Sequence, residues 1–357
     1  MKKRDTRKGS LVARALAGSW RRDVSEPFDL SRPELDEVTP LLYGSGAAAL
    51  GWWRVRNTDL ASSPSAEVLH QAYRLQLLQS SIHEQKIRKV FRLLRSESIE
   101  PILVKGWAAA AQYPEAALRP YGDIDICVTA EDFKAAGAVL GRPEVSDCWI
   151  DLHKRFTEIG DRRTEDLFSR TRLLPLDGEK IRTLSPEDHL ALMAVHLLKH
   201  GAWRPLWLCD IGAAIETLPG DFDWDLCLGR HEKRASWILC AIGLASCLLD
   251  AQIDHLPLAK RARELPAWLV TNVLKQWNTP FAINQPPMNH PKPIGQYLLR
   301  PSGLLSGLRE RWPDPIIATV SVNGRFSNFP RLPYQLGNCG ARMTRFLLRS
   351  PLPSRAQ

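Results

Sequence analysis

The decapeptide RPYGDIDICV, residues 119–128, constrains the fold most, because it sets two aspartates on an apolar run typical of a buried strand. Side chains alternate between the faces of a strand, so Asp123 and Asp125 share one face while Ile124 and Ile126 share the other. A buried carboxylate without a partner is costly to desolvate. We therefore predict a strand that packs one face on a core and presents both carboxylates at a solvent-facing cleft.

A third acid follows in WIDLH, residues 149–153, where alternation places Asp151 and His153 on one face. If the two strands are neighbours, Asp151 can join Asp123 and Asp125. Three carboxylates so close repel one another unless cations neutralise them, and oxygen ligands favour Mg²⁺ or Mn²⁺. Two such ions roughly 4 Å apart support in-line displacement at phosphorus. The pattern predicts a Mg²⁺ or Mn²⁺ site.

The segments around these acids alternate between short strands and helices. PILVKG at 101–106 predicts another strand, closed by a glycine, and AEDFKAAGAVL at 130–140 predicts a helix. Residues 62–97 predict a long helix with a serine cap and a proline in its first turn. Its apolar positions at helical spacing are Val68, Ala72, Leu75, Leu78, Ile82 and Ile87.

These patterns divide the chain into five segments and predict an α+β fold with a small mixed-sheet core between helical segments. The predicted segments are a basic, poorly ordered N-terminus (1–28), a helical N-terminal segment (29–97), an αβ core (98–184), a helical domain (185–285) and a basic, Pro/Gly-rich C-terminal segment (286–357).

The net charge of +9 comes from the two ends of the chain. Residues 1–22 contain eight Lys or Arg and one acidic residue, and residues 290–357 contain ten and two. Basic ends suit an anionic partner such as nucleic acid or a phosphorylated ligand, and they also suit plain solvated tails. We favour solvated tails over a nucleic-acid partner.

Cysteine usage and hydropathy indicate a cytoplasmic protein with no membrane partner. The seven cysteines show no CxxC spacing, which favours free thiols in a reducing compartment. The longest apolar stretch, residues 237–249, is too short to span a bilayer. Arg14 interrupts the only apolar run near the N-terminus, so we expect no secretory signal.

Three histidines, His189, His196 and His200, form one stripe of the helix predicted after residue 185. A zinc site would need a Cys or acidic ligand that this pattern does not supply. We instead expect these histidines at the seam between the helical domain and the cleft. There, His196, Lys199 and His200 would contact phosphate or an acceptor.

The order of strand with glycine, helix, DxD strand and third aspartate resembles the nucleotidyltransferase superfamily of the DNA polymerase β type. More closely, ILVKGWAAAAQYPEAALRPYGDIDICV, WIDLHKRF and LSPEDHLALMAVHLLKHGAWRPLWLCDI are similar to an uncharacterised bacterial nucleotidyltransferase family, over about residues 30–215. The resemblance implies that Asp123, Asp125 and Asp151 bind the metals, and that Lys105, Gly106, Arg119 and Gly122 line the nucleotide side. The wider superfamily has Gly-Gly or Gly-Ser where this chain has KGW, so the lysine is expected to replace part of that phosphate grip.

This resemblance implies transfer of a nucleoside monophosphate from an NTP such as ATP to an unknown acceptor, with release of pyrophosphate. The acceptor would be a small molecule, a peptide or a protein. Asp151 would take the acceptor proton, and His153 would contact the acceptor. Two alternatives stay open: a catalytically silent nucleotide- or peptide-binding protein of the same fold, and a metal-dependent phosphohydrolase.

Overall fold

A computed structural model of the chain describes residues 6–23, 27–279 and 312–349, with the last five residues of that range described for the backbone alone. Within these residues the chain forms five strands and fifteen α-helices. The strands are β1 (Ile102–Leu103), β2 (Ile124–Cys127), β3 (Ile150–His153), β4 (Arg172–Leu176) and β5 (Glu179–Thr183). The helices before β3 are α1 (Arg7–Leu16), α2 (Arg32–Ser45), α3 (Ala48–Val55), α4 (Pro64–Ser96), α5 (Gly106–Ala110) and α6 (Phe133–Leu140). The helices after β3 are α7 (Thr164–Ser169), α8 (Pro186–Lys199), α9 (Pro205–Glu216), α10 (Trp224–Leu228), α11 (Glu232–Leu249), α12 (Ala259–Arg263), α13 (Ala267–Trp277), α14 (Pro315–Ser321) and α15 (Leu332–Arg349).

The five strands form one mixed sheet in the order β3-β2-β1-β5-β4. β2 and β3 are parallel, as are β1 and β5, whereas β1 and β2, and β4 and β5, are antiparallel. Parallel neighbours need a crossover connection, and α6 supplies it between β2 and β3. The predicted α+β class is confirmed, as are the three strands expected within residues 101–106, 119–128 and 149–153.

The β4–β5 hairpin was not predicted from the sequence. The strand residues RLLPL and EKIRT mix charged, aliphatic and proline positions, so neither alternates cleanly. Their two-residue turn, Asp177 and Gly178, has positive φ at both positions (44° and 82°). Such a turn matches the right-handed twist of a hairpin, and Asp-Gly is a preferred sequence for it. The hairpin could therefore have been predicted from the Asp-Gly dipeptide.

The N-terminus differs from the poorly ordered segment expected over 1–28, because residues 7–16 form helix α1. Leu11, Val12 and Leu16 are all at most 4% exposed, and they belong to the main hydrophobic core. Gly9 permits close contact with α13, since a Cβ at this position would lie 2.0 Å from the carbonyl oxygen of Leu274. The segment was judged by its basic residues, and the helical spacing of its apolar residues was not taken into account.

Helix α4 has the predicted start, but Ile87 is the only one of its six predicted apolar positions that is fully buried. The Ser63 hydroxyl accepts a hydrogen bond from the Ala66 amide at 3.2 Å, and Pro64 occupies the first turn, as in a standard helix start. The expected apolar positions Val68, Leu75, Leu78 and Ile82 are exposed. The buried residues of this helix are Ala66, Leu69, Gln76, Ser80, Ile87, Val90, Phe91 and Leu94.

Two hydrophobic cores hold these elements in place. One lies among the helices of the N-terminal and C-terminal parts, around α8, α9 and α11. The other lies between the sheet and the C-terminal half of α4, where Phe91 and Leu94 meet Ile124 and Ile126. The inward isoleucines of β2 therefore anchor the strand that carries the aspartates.

The C-terminal segment expected at 286–357 is partly outside the described residues. Its described part forms α14 and α15, which the sequence did not predict. Trp237 Nε1 donates to the Gly324 carbonyl at 2.8 Å, and Trp268 Nε1 donates to the Ser327 carbonyl at 2.8 Å. These hydrogen bonds attach the segment to the helical body. Among the described residues, no helix has the length and apolar character that crossing a bilayer requires.

Candidate active site

The centre of the candidate site is the parallel pairing of β2 with β3, in which Asp125 and Asp151 are Cα partners. Residues in register on neighbouring strands present their side chains to the same face of the sheet. The carboxylates of Asp125 and Asp151 therefore meet at one edge of the cleft. This is the neighbour relationship that the sequence left conditional.

His153 joins the two carboxylates. Its Nε2 lies 3.0 Å from Asp125 Oδ1 and 3.2 Å from Asp151 Oδ2. Within the described ranges, ligand atoms of Asp125, Asp151 and His153 all lie within 4.8 Å of one another, a spacing that could hold a metal ion. His153 was predicted as an acceptor contact, and the structure places it among the candidate ligands.

Asp125 is buried at 5% exposure, whereas Asp151 is exposed. The expectation that both carboxylates of the DxD pair face solvent is therefore wrong for Asp125. Burial raises the pKa of Asp125, but the hydrogen bond with His153 and the charge of Lys105 outweigh it, so its pKa lies below the ordinary value. The carboxylate stays ionised although it is buried.

Lys105 supplies the fixed positive charge of the site, since its Nζ lies 3.1 Å from Asp125 Oδ1. Its backbone has φ of 52°, which is unusual for a residue with a side chain. Gly106 follows with φ of 31° and begins α5. This left-handed turn after β1 aims the lysine at Asp125 and brings Gly106 close to the Asp123 carbonyl, which a Cβ would meet at 3.5 Å.

Asp123 lies outside the three-residue group. Its side chain is exposed, and its charge raises the pKa of His83 against a larger lowering by burial. The residue precedes the first paired position of β2, Ile124. Gly122 is exposed, with no neighbouring heavy atom within 4 Å of the position of a Cβ.

Arg119, which the resemblance assigned to the nucleotide side, forms a buried ion pair with Asp210. Its Nε lies 3.1 Å from Asp210 Oδ1, and its Nη2 lies 2.8 Å from Asp210 Oδ2. The Tyr113 hydroxyl donates to Asp210 Oδ1 at 2.8 Å. Arg119 Nη1 donates to the Pro120 carbonyl at 3.2 Å. The guanidinium is therefore fully engaged within the protein.

A small cavity extends from Lys105 into the helical part. Its wall combines an ion pair with apolar and aromatic side chains from α8 and α9: Lys105, Arg119, Met193, His196, Trp207 and Asp210. Lys105 belongs both to this wall and to the carboxylate cluster. Lys105 therefore lies between the cavity and the carboxylate cluster.

Glu158, which was not identified from the sequence, lies beside Lys199 and His196, two of the residues predicted to contact phosphate or an acceptor. Its Oε1 lies 2.9 Å from Lys199 Nζ and 3.9 Å from His196 Nδ1. Lys199 Nζ also donates to the Thr157 hydroxyl at 2.8 Å. Burial raises the pKa of Glu158, but the nearby His196 ring and the hydrogen-bonded ammonium of Lys199 outweigh this and hold the pKa far below the ordinary range. No regular pattern surrounds Glu158 that could have revealed it.

His196 and His200 pack with Trp207 in an aromatic cluster. The ring centroids of the two histidines are 4.5 Å apart, and those of His196 and Trp207 are 4.8 Å apart. Burial lowers the pKa of His196, and burial together with the neighbouring cations lowers that of His200 to about 4. Both imidazoles are therefore neutral at pH 7. His189 is buried away from this cluster beside Gln112, and burial lowers its pKa to about 3.

The geometry defines a class of protein: a mixed sheet presents aspartates from two parallel strands to one cleft, with a lysine beside them. That class is the nucleotidyltransferases, as the sequence resemblance implied. A comparison with family models matches residues 33–249 to the family described as uncharacterised nucleotidyltransferase. The match covers more than half of the chain and includes every strand, so the protein belongs to this family and is a transferase. Neither the curated proteins nor the solved structures include a match.

Proposed function

We propose that the protein is a metal-dependent nucleotidyltransferase that moves a nucleoside monophosphate from an NTP to an acceptor and releases pyrophosphate. The observation that carries this proposal is the convergence of Asp125, Asp151 and His153 within 4.8 Å. The two carboxylates supply oxygen ligands of the kind that Mg²⁺ and Mn²⁺ prefer, with Asp123 as a further oxygen donor. Such an ion would neutralise charge on the phosphates and orient them.

Asp151 is the best candidate for general base. It is exposed and can reach an acceptor hydroxyl in the cleft, whereas Asp125 is committed to Lys105 and His153. A general base must lie within hydrogen-bond reach of the proton that it removes. Asp151 would accept that proton as the acceptor oxygen attacks the α-phosphorus, and pyrophosphate would leave from the opposite side.

Lys105 would bind the triphosphate through its ammonium group. The side chain is 19% exposed, and it lies between the carboxylates and the cavity. A lysine binds phosphate as a compact positive charge. The left-handed backbone of Lys105 fixes the direction of its side chain. We propose that this residue replaces part of the phosphate grip supplied by Gly-Ser turns in the wider superfamily.

The cavity and the adjoining cluster would bind the rest of the substrates. His196 lies in the cavity wall, and His200 and Lys199 lie next to it on the same helix. Neutral imidazoles and an indole suit a flat, uncharged ring system, whereas Lys199 suits a phosphate or carboxylate at the rim. Arg119 would position Asp210 in the cavity wall and would not touch the triphosphate.

A cytoplasmic location is part of this proposal. All seven cysteines are free thiols in the structure, and five of them are buried. Unpaired buried cysteines favour a reducing compartment, where NTPs are also abundant.

The test uses the purified full-length protein, each of the four NTPs labelled at the α-phosphate, and a total cell extract as the source of acceptors. A transferase releases pyrophosphate and moves the label to a new product. A phosphohydrolase releases phosphate or pyrophosphate and leaves the label on a free nucleotide, and a silent protein binds NTP without turnover. Either of the last two results would reject the proposal.

Metal binding is measured separately, by titrating Mn²⁺ alone and following its paramagnetic resonance. We expect the wild type to bind Mn²⁺, and the Asp125→Asn and Asp151→Asn variants to bind it at least tenfold more weakly. Wild-type affinity in both variants would show that the metal site lies elsewhere.

A further inference from the structure

The imidazole of His153 is held in place by the sheet and by an aromatic neighbour. The residue is the Cα partner of Cys127 in the parallel pairing of β2 with β3, and its carbonyl accepts a hydrogen bond from the Val128 amide at 3.1 Å. Its ring packs on Phe156 with 5.2 Å between the ring centroids. A strand positions a side chain more precisely than a loop does. The imidazole is therefore a built part of the cleft.

The Nε2 atom of His153 faces carboxylates from two neighbouring strands. It lies 3.0 Å from Asp125 Oδ1 on β2 and 3.2 Å from Asp151 Oδ2 on β3. Neighbouring ligand atoms on an octahedral ion with bonds of about 2.1 Å lie about 3.0 Å apart. The imidazole nitrogen and the two carboxylate oxygens therefore have the spacing that ligands of a single ion have.

A nitrogen donor changes which ion this site prefers. Mg²⁺ binds oxygen ligands and keeps several of its waters, whereas imidazole is a donor that transition-metal ions favour. Mn²⁺ takes carboxylate oxygens as Mg²⁺ does, and as a first-row transition ion it also accepts an imidazole nitrogen. Zn²⁺ most often takes nitrogen and sulfur ligands in a tetrahedral arrangement. Two carboxylates with one imidazole therefore suit Mn²⁺ best.

The alternative role for His153 is that of a hydrogen-bond donor that only orients the two carboxylates. In that role the ion would contact oxygens alone, and the choice between Mn²⁺ and Mg²⁺ would not depend on the imidazole. Asp125 Oδ1 already has the ammonium of Lys105 as a donor at 3.1 Å. The carboxylate therefore has a fixed cationic partner without His153, and this favours the ligand role.

We propose that His153 is a ligand of the ion, together with Asp125 and Asp151, and that this donor set makes the site prefer Mn²⁺ to Mg²⁺. The other coordination positions are left to water and to phosphate oxygens. This inference rests on the metal-dependent function proposed above, and it adds the identity of the ion and of its third ligand.

The experiment follows the binding of Mn²⁺ alone to the full-length protein by paramagnetic resonance and then displaces the ion with Mg²⁺. We expect the wild type to bind Mn²⁺ at least tenfold more tightly than Mg²⁺. A spin-echo measurement on the same sample detects nitrogen bonded directly to Mn²⁺, and we expect a coupling from one imidazole. No NTP is present, so neither result depends on turnover.

The decisive variant is His153→Gln, which keeps a hydrogen-bonding side chain but replaces the imidazole nitrogen by amide groups. The nitrogen coupling should disappear, and the ratio of Mn²⁺ affinity to Mg²⁺ affinity should fall at least tenfold. His153→Asp supplies an oxygen donor and should lower the ratio in the same way. The matched control is His70→Gln, which removes an imidazole stacked on Trp52 and should keep both the coupling and the ratio.

The possible results separate this inference from the proposed transfer. Bound Mn²⁺ without a nitrogen coupling in the wild type, or an unchanged ratio of affinities in His153→Gln, would overturn the assignment of His153 and leave the transferase proposal intact. A wild type that binds no Mn²⁺ would overturn both. An imidazole coupling that His153→Gln abolishes, in a protein that transfers no label from NTP, would support the ligand assignment and reject the transferase.

Discussion

Arg119, at the entrance to β2, and Asp210, on α9, form a buried ion pair that joins the αβ core to the helices after it. Both side chains are at most 8% exposed, and two nitrogens of the guanidinium face two oxygens of the carboxylate. The pair forms part of the cavity wall beside Lys105. The position of the helical wall relative to the carboxylates therefore depends on this contact.

The first prediction concerns the removal of one member of this pair. Arg119→Met leaves Asp210 buried with Tyr113 as its remaining partner, and breaking a buried pair in this way costs about 3–5 kcal/mol of unfolding free energy. Urea unfolding measures this loss. The double variant Arg119→Met/Asp210→Leu removes both charges and should recover most of the stability.

An exposed ion pair provides the control for that prediction. Arg92 Nε lies 2.6 Å from Glu179, but the Arg92 side chain is 60% exposed. We expect Arg92→Met to cost less than about 1 kcal/mol, because solvent screens such a pair. Equal losses of unfolding free energy for the Arg119→Met and Arg92→Met variants would show that the buried Arg119 pair contributes no more to stability than an exposed pair.

Alternation along the strands was sufficient to predict which side chains share a face, whereas the pairing of the two strands stayed conditional. The DxD pattern and the WIDLH segment predicted strands whose aspartates share a face, and the register of Asp125 with Asp151 follows that pattern. The apolar alternation of β2 also identified Ile124 and Ile126 as core residues. These features are local, so the sequence contains them directly.

Contacts between distant segments were not predictable in the same way. The partner of Arg119 is 91 residues away, and Glu158 meets Lys199 across 41 residues. The apolar residues of α4 predicted the helix but not its buried face, because tertiary packing buries Gln76 and Ser80 and leaves Leu78 exposed. Only the tertiary arrangement decides such choices.

The second prediction concerns Asp151. Its exposed side chain can lose its charge without disturbing the core, so Asp151→Asn should keep the wild-type melting temperature. The proton acceptor is lost, so kcat at saturating metal should fall at least a hundredfold while KM for the NTP changes little. Steady-state kinetics with NTP titrations measure both quantities.

Two further variants serve as comparisons for Asp151→Asn. Asp221→Asn removes an exposed carboxylate away from the site and should behave as the wild type does. His153→Gln keeps a hydrogen-bonding group beside Asp125 and should lower kcat less than Asp151→Asn does. A normal kcat for Asp151→Asn would show that another group accepts the proton.

The third prediction separates the charge of Lys105 from its backbone. Lys105→Met removes the ion pair with Asp125 but keeps a side chain at φ of 52°, whereas Lys105→Gly removes the pair and relaxes that backbone. A strained conformation of this kind costs about 1–3 kcal/mol. The glycine variant should therefore be more stable than the methionine variant, and both should bind NTP less well. Equal stability of the two variants by urea unfolding would indicate that the turn carries no strain.

The fourth prediction is a dependence of stability on pH that arises from His200. Burial and the charges of its neighbours lower the pKa of this imidazole from 6.5 to about 4 in the folded protein. Between these two values the unfolded chain binds a proton at His200 that the folded protein does not, so the contribution of this residue to stability is present above pH 6.5 and is lost as the pH falls towards 4. The side chain in His200→Gln cannot titrate, so the unfolding free energy of this variant should fall less steeply over this range than that of the wild type.

The measurement is urea unfolding of both proteins at a series of pH values. His70→Gln serves as the control, because His70 stacks on Trp52 at a more exposed position. The His70→Gln curve should follow the wild type, and a His200→Gln curve parallel to the wild type would show that the imidazole does not titrate in this way.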